Sequence, residues 1–157
     1  MHEVTFHKEL AEMFRAQGAW IAKWPDSPVS AMRVGQTGRL RFALPKPFDL
    51  VGFLSDGRGL AVECKLVQGP TFRVNDRAAV QLATLRDIQK RNGYAALALN
   101  FRFARKRTGR VNRAFLVTEL EASLWAEGTT WALGVPWPEL IRISGGWKLP
   151  EGDASAP

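Results

Sequence analysis

Asp49, Glu63 and Lys65 are the residues from which a reaction can be built. Glu63 and Lys65 lie in Gly59-Leu60-Ala61-Val62-Glu63-Cys64-Lys65, an apolar and β-branched run that reads as a strand. Side chains alternate across a strand, so both share a face with Ala61. Leu60, Val62, Cys64 and Leu66 take the other face, which is core. Asp49 opens a second such run, Phe48 to Leu54, and the Asp56-Gly57 dipeptide between the two signals a hairpin. A two-residue loop there sets Asp49 opposite Cys64, on the wrong face. An odd-numbered connection, through a three-residue loop or a bulge at Gly57 or Gly59, sets Asp49 opposite Lys65 and Val51 opposite Glu63. This odd register is the expected one. Two carboxylates and one lysine then meet, and hard oxygen ligands of this kind suit Mg²⁺, with Mn²⁺ as a substitute. Such an ion activates water and clamps a scissile phosphate, with Lys65 as a point charge near the nucleophile. An Asp49 carboxylate on the far side of the sheet from Glu63 would exclude a shared ion.

The elements that must position these residues are legible around them. Thr5 to Gln17 reads as a helix with the stripe Phe6, Leu10, Met13 and Phe14, stopped by Gly18. Ala19 to Trp24 reads as a short strand ended by Pro25. After Lys65, a turn at Gly69-Pro70 leads to Thr71-Phe72-Arg73-Val74. Asn75 or Asp76 then caps a helix to about Arg91, with the stripe Ala78, Leu82, Leu85 and Ile88. Gln81 neighbours that stripe and is placed to reach the carboxylates or a phosphate. Tyr94 to Phe101 is apolar on both faces, as a central strand should be. Asn112 to Thr118 returns as a strand, and Glu119 to Glu127 reads as a short helix with Leu120, Leu124 and Trp125 inward. Trp131, Trp137, Leu140 and Ile143 with Pro136 and Pro138 make a compact end that covers the sheet or meets a second subunit.

At 157 residues the chain is expected to be one domain over 1–149 with a loose tail at 150–157. Its net charge of +7 suggests a polyanionic partner, nucleic acid before membrane. Two segments concentrate that charge. Residues 27–46 form a basic arm with Arg33, Arg39, Arg41 and Lys46, and Met32–Val34 with Arg39–Phe42 could make a two-stranded ribbon. The run Arg102, Arg105, Lys106, Arg107, Arg110 with Arg113 beyond contains no acid and reads as a phosphate-tracking loop; Arg73 adds to the basic surface. The single cysteine excludes a disulfide framework. No apolar run approaches the length of a membrane span and no leader opens the chain, so a cytoplasmic protein of a bacterial, archaeal or phage-infected cell is expected. A Ser-His-Asp or Cys-His hydrolase is disfavoured, because only His2 and His7 exist, both near the start.

Asp49, then thirteen residues, then Glu63-x-Lys65 resembles the P-D…(D/E)-x-K signature of the restriction-endonuclease-like nuclease superfamily, with Pro47-Phe48-Asp49 in place of a strict Pro-Asp. The order helix, strand, acid-bearing hairpin, helix, strand over residues 1 to 118 is similar to the core of that superfamily. Within it the chain looks most like Holliday junction resolvases of the archaeal type and the bacterial RecU type. The residues that carry this are Trp24-Pro25-Asp26-Ser27-Pro28-Val29, Phe48-Asp49, Ala61 to Lys65, and Gln81-x-x-x-Leu85 ahead of Gly93. The resemblance implies an α/β fold with a central mixed sheet flanked by helices and a protruding basic arm. It also implies a homodimer that nicks four-way double-stranded DNA junctions by Mg²⁺-dependent phosphodiester hydrolysis. By the same resemblance Asp49 and Glu63 bind metal, the Cys64 carbonyl is a further ligand, and Lys65 orients or activates water. A first-helix acid completes such sites: Glu3, about 35° from the centre of the apolar stripe and one turn before His7, is the first choice, and Glu9, about 85° away, the second. Archaeal-type spacing points near His7 and RecU-type spacing at Glu3. Another nuclease of the superfamily, of restriction or repair type, and a non-catalytic nucleic-acid-binding protein are the competing readings.

Overall fold

The computed structural model describes residues 3–25, 46–133, 136–152 and 157, with side chains from Thr5 onward. The chain runs α1 (Glu3–Ala16), β1 (Trp20–Lys23), β2 (Leu50–Phe53), β3 (Gly59–Val67), β4 (Thr71–Arg73) and α2 (Asp76–Lys90). It continues β5 (Tyr94–Arg105), β6 (Gly109–Val117), β7 (Thr130–Ala132), β8 (Ile141–Ile143) and β9 (Gly146–Lys148). Five strands form one sheet in the order β1-β2-β3-β5-β6. Only β3 and β5 pair in parallel; the other neighbours are antiparallel, so the sheet is mixed. A parallel pair needs a crossover, and β4 with α2 supplies it.

Each helix covers one face. Phe6, Leu10 and Phe14 of α1 pack on Val62, Cys64, Ala96 and Leu116. Ala78, Leu82 and Leu85 of α2 pack on Ala61, Leu97, Leu99 and Val117. Burying each leucine stabilises by roughly 1.5–3 kcal/mol, so the two stripes fix both helices against the sheet. The helix ends follow local chemistry. Gly18, at φ +86°, closes α1, where a side chain would be strained. The Asn75 side chain caps α2 by accepting from the Ala78 N–H at 2.8 Å, and Asn92 takes the left-handed turn after it. This is the expected α/β fold, a mixed sheet flanked by helices.

Three readings of the sequence are corrected. Glu119–Glu127 is a series of turns, not a helix. The Trp125 indole N–H donates to the Glu119 carbonyl at 2.7 Å and its ring stacks on Trp137 at 4.8 Å, so ring packing outweighs helix propensity. Ile143 is exposed rather than part of the compact end; Trp147 is what folds back onto Phe6 of α1. The core is not confined to the Leu60, Val62 and Cys64 face of β3: α2 covers the other face too, leaving Ala61 and Glu63 buried. The basic arm and its ribbon fall outside the described residues up to Lys46, as does half of the C-terminal tail.

Candidate functional site

The hairpin between β2 and β3 decides what meets what. Leu54 N–H donates to the Arg58 carbonyl at 2.9 Å, closing a three-residue loop Ser55-Asp56-Gly57 with Gly57 at φ +87°. The connection is odd-numbered, but one residue earlier than expected. The register is therefore shifted by two: Leu50 lies opposite Val62 and Val51 opposite Ala61, not Glu63. Continued one residue, it brings Asp49 beside Glu63, not Lys65.

Regular alternation breaks at Asp49. Phe48 packs in the α2-side cluster and Leu50 in the α1-side cluster, although residues two apart in a strand share a face. The Asp49 N–H donates to the Val62 carbonyl at 3.1 Å, the residue already opposite Leu50. Two residues against one is the signature of a bulge, which re-aims a side chain. Asp49 consequently points along the sheet edge, where its Oδ2 accepts from the Cys64 N–H at 2.9 Å. Oδ2 lies 3.6 Å from His7 Nε2 on α1, while Oδ1 pairs with the Lys46 ammonium at 2.8 Å. The expectation that Asp49 shares the face of Glu63 and Lys65 is corrected: it stands at the rim between the two faces.

Glu63 and Lys65 lie side by side on the α2 face, with Lys65 Nζ 2.6 Å from Glu63 Oε1. The same ammonium donates to Gln81 Oε1 at 2.8 Å, so α2 holds the lysine from above. Glu63 is 2% exposed, and its Oε2 has no hydrogen-bond partner among the described residues. Burial, opposed by Lys65 and reinforced by the charge of Asp49, pushes its pKa up to about 7. Lys46 also acts on Glu63 and lowers that value. The two carboxylates thus lie in each other's field, with the Lys46 ammonium answering to both.

These donors suit a hard divalent cation. A buried carboxylate oxygen without a partner is costly to leave so, and a cation is one partner that would satisfy it. Asp49 and Glu63 would be its ligands. A residue's N–H and C=O point to the same side of a strand, so the Cys64 carbonyl would face the same way as the N–H that meets Asp49.

Other expected residues are placed elsewhere. Glu9, the second choice for a first-helix acid, is not at this cluster: its Oε2 takes Arg142 Nη1 at 2.8 Å and the Trp147 indole N–H at 2.9 Å. The side chain of Glu3 lies outside the described residues, as do Arg33, Arg39 and Arg41. Lys46 is not a surface cation; it is engaged by Asp49. Arg102 is likewise not presented to a DNA backbone, since all three guanidinium nitrogens are buried and, among the described residues, without a hydrogen-bond partner. Arg105, Lys106, Arg107 and Arg110 are exposed at the β5–β6 tip, and Arg73 is exposed on β4. In the sequence His7 stands out as a neighbour of Glu3 and as the position to which archaeal-type spacing points; the slip at Asp49, which brings it near, leaves no signal in residue types.

No family model matches the chain, and no curated protein matches it in sequence. Among solved structures it is similar to Hjc, a Holliday junction resolvase from the archaeal hyperthermophile Archaeoglobus fulgidus, with 16% identity and a TM-score of 0.46. That similarity covers 83% of this chain and 88% of the other.

Proposed function

We propose that the chain is a metal-dependent endonuclease that cuts branched double-stranded DNA, as a Holliday junction resolvase does, working as a homodimer. The observation that carries this reading is the buried Glu63 carboxylate, bonded to Lys65 on one oxygen and, among the described residues, unpartnered on the other, with a second acid at the adjoining sheet edge. A structural ion pair gains little from such an arrangement, because an unsatisfied buried oxygen costs about 1–3 kcal/mol or more. Mg²⁺, or Mn²⁺ in its place, held by Asp49, Glu63 and the Cys64 carbonyl, would supply Lewis acidity at a phosphate and a more acidic water.

The chain's own residues would do the rest. Lys65 is fixed between Glu63 and Gln81 and offers its remaining N–H to a phosphate oxygen or to the attacking water. Gln81, 6% exposed, restrains that ammonium by accepting from it. The exposed cations of the β5–β6 tip would hold the DNA backbone without reading sequence.

The test is incubation of the purified chain with a synthetic four-way junction, with and without Mg²⁺, beside linear duplex of the same sequence. Paired nicks in the junction, only with Mg²⁺, are expected. Equal cutting of linear duplex would favour a restriction or repair nuclease. Binding with no cutting under any metal would favour a non-catalytic DNA-binding protein.

A further inference from the structure

A second group of ligands backs onto the first. On the α1 side, His7 and Cys64 flank the opposite edge of Asp49, and one ligand atom from each of the three lies within 4.8 Å of the other two. All three residues are buried. Three atoms so spaced leave a point no more than about 2.8 Å from each, against metal bonds of about 2.0–2.3 Å, so each donor need move by less than about 1 Å to reach a common ion. Their chemistry differs from that of the acid–lysine cluster. Imidazole nitrogen and thiolate sulfur select borderline and soft ions, whereas Mg²⁺ favours oxygen. We propose that His7, Asp49 and Cys64 form a binding site for a borderline transition-metal ion such as Zn²⁺.

Each side chain is already held in place for this. Cys64 is in β3 with its side chain in the α1-side core, His7 rides on α1 above it, and the Cys64 N–H fixes Asp49 Oδ2 at 2.9 Å. A carboxylate oxygen keeps a lone pair beyond one hydrogen bond, so Oδ2 serves both partners. Binding releases the Cys64 thiol proton to solvent, together with one imidazole proton where His7 is charged, and changes no oxidation state. Three protein ligands leave the fourth position of a tetrahedral ion to water. Asp49 is common to both groups, so Zn²⁺ here antagonises Mg²⁺-dependent cleavage. That consequence rests on the proposed nuclease function; the site itself does not.

Co²⁺ reports the site without DNA. It is titrated into the reduced, full-length chain in the absence of Mg²⁺. Cys64 is the only cysteine, so a near-ultraviolet thiolate-to-cobalt band has one possible source. The band is expected to saturate at about one Co²⁺ per chain, to resist excess Mg²⁺, and to give way to Zn²⁺. It should vanish in Cys64→Val, persist in Glu63→Gln, and weaken in His7→Gln with Co²⁺ affinity down by roughly tenfold or more, what even an outer-shell change costs. No band in the wild-type chain overturns the proposal, and so does one whose affinity is unchanged in a folded His7→Gln chain. If Cys64→Val does not fold, the wild-type band and His7→Gln decide alone. In parallel, one equivalent of Zn²⁺ should lower Mg²⁺-dependent junction cleavage at least tenfold. Absence of cleavage in every condition would count against the nuclease function while leaving the cobalt result to stand.

Discussion

At the scale of single residues, Glu63 carries the most information. Its carboxyl is held protonated up to about pH 7, mainly by burial, against an ordinary value of 4.5. For an acid whose pKa is raised on folding, the folded chain binds more protons than the unfolded one between those values, so stability falls as pH rises. The metal-free protein should lose on the order of 3 kcal/mol between pH 4.5 and 7 through this group. Glu63→Gln should remove that loss, which urea unfolding at pH 5 and pH 8 measures; an identical pH slope in the variant would contradict it. Lys65→Ala should lower cleavage by roughly 10³-fold, the scale of a few kcal/mol of lost charge stabilisation, while junction binding stays intact. Weakened binding in a gel-shift assay would instead make Lys65 part of the docking surface. The pairing of Glu63 with Lys65 was legible from strand alternation. The position of Asp49 was not, because a bulge depends on how the chain enters the strand from residues 46–48, which periodicity does not record.

At the scale of elements, the site depends on β2 lying close to β1 and on α2 being held over β3. Gly52 makes the first possible: a Cβ there would collide with the Trp20 carbonyl of the neighbouring strand. Gly52→Ala should destabilise by about 1–3 kcal/mol or more through forced strand separation, and an unchanged urea midpoint would refute this. Asn75 anchors the start of α2, whose Gln81 meets Lys65. Asn75→Ala should cost about 1 kcal/mol of stability with cleavage less affected. The far end of α2 is tied by Gln89 Nε2, which donates to the carbonyls of Ala95 and Thr118. Both helices, their stripes and the Gly18 stop were readable from residue types, since those signals are local. The loop register differs by two residues from the expected one because Asp56-Gly57 fits more than one turn; closure at Leu54 and Arg58, with Asp56 bonded to the Arg58 N–H and guanidinium, selects the turn centred one residue earlier. The Glu119–Glu127 helix failed for a tertiary reason, the stacking of Trp125 on Trp137.

At the scale of the whole molecule, a net charge of +7 must be shown somewhere, and the β5–β6 tip shows part of it. Arg105, Lys106, Arg107 and Arg110 are exposed there, and Arg105 rests over the Phe103 ring at 5.6 Å. Neutralising Arg105, Lys106 and Arg107 should weaken binding to DNA of any sequence and flatten the salt dependence by about 0.9 for each phosphate no longer neutralised. An unchanged slope would remove the tip from the interface. Charge along the sequence picks out an exposed tip but does not sort its members: Arg102 faces inward, because position along a β-strand, not charge, decides which side it takes. Among the described residues no helix is long and apolar enough to cross a membrane.

Whether Asp49 and Glu63 hold one ion between them is read most directly from Mn²⁺ binding to the wild-type chain, Glu63→Gln and Asp49→Asn, followed by the resonance of the free ion and competed with Mg²⁺. If one ion is shared by the two acids, a Mg²⁺-displaceable Mn²⁺ binds once per chain and its affinity falls by roughly tenfold or more in each variant. Mn²⁺ affinity unchanged in either variant would mean that the acids hold no common ion, and the nuclease function would lose its chemistry.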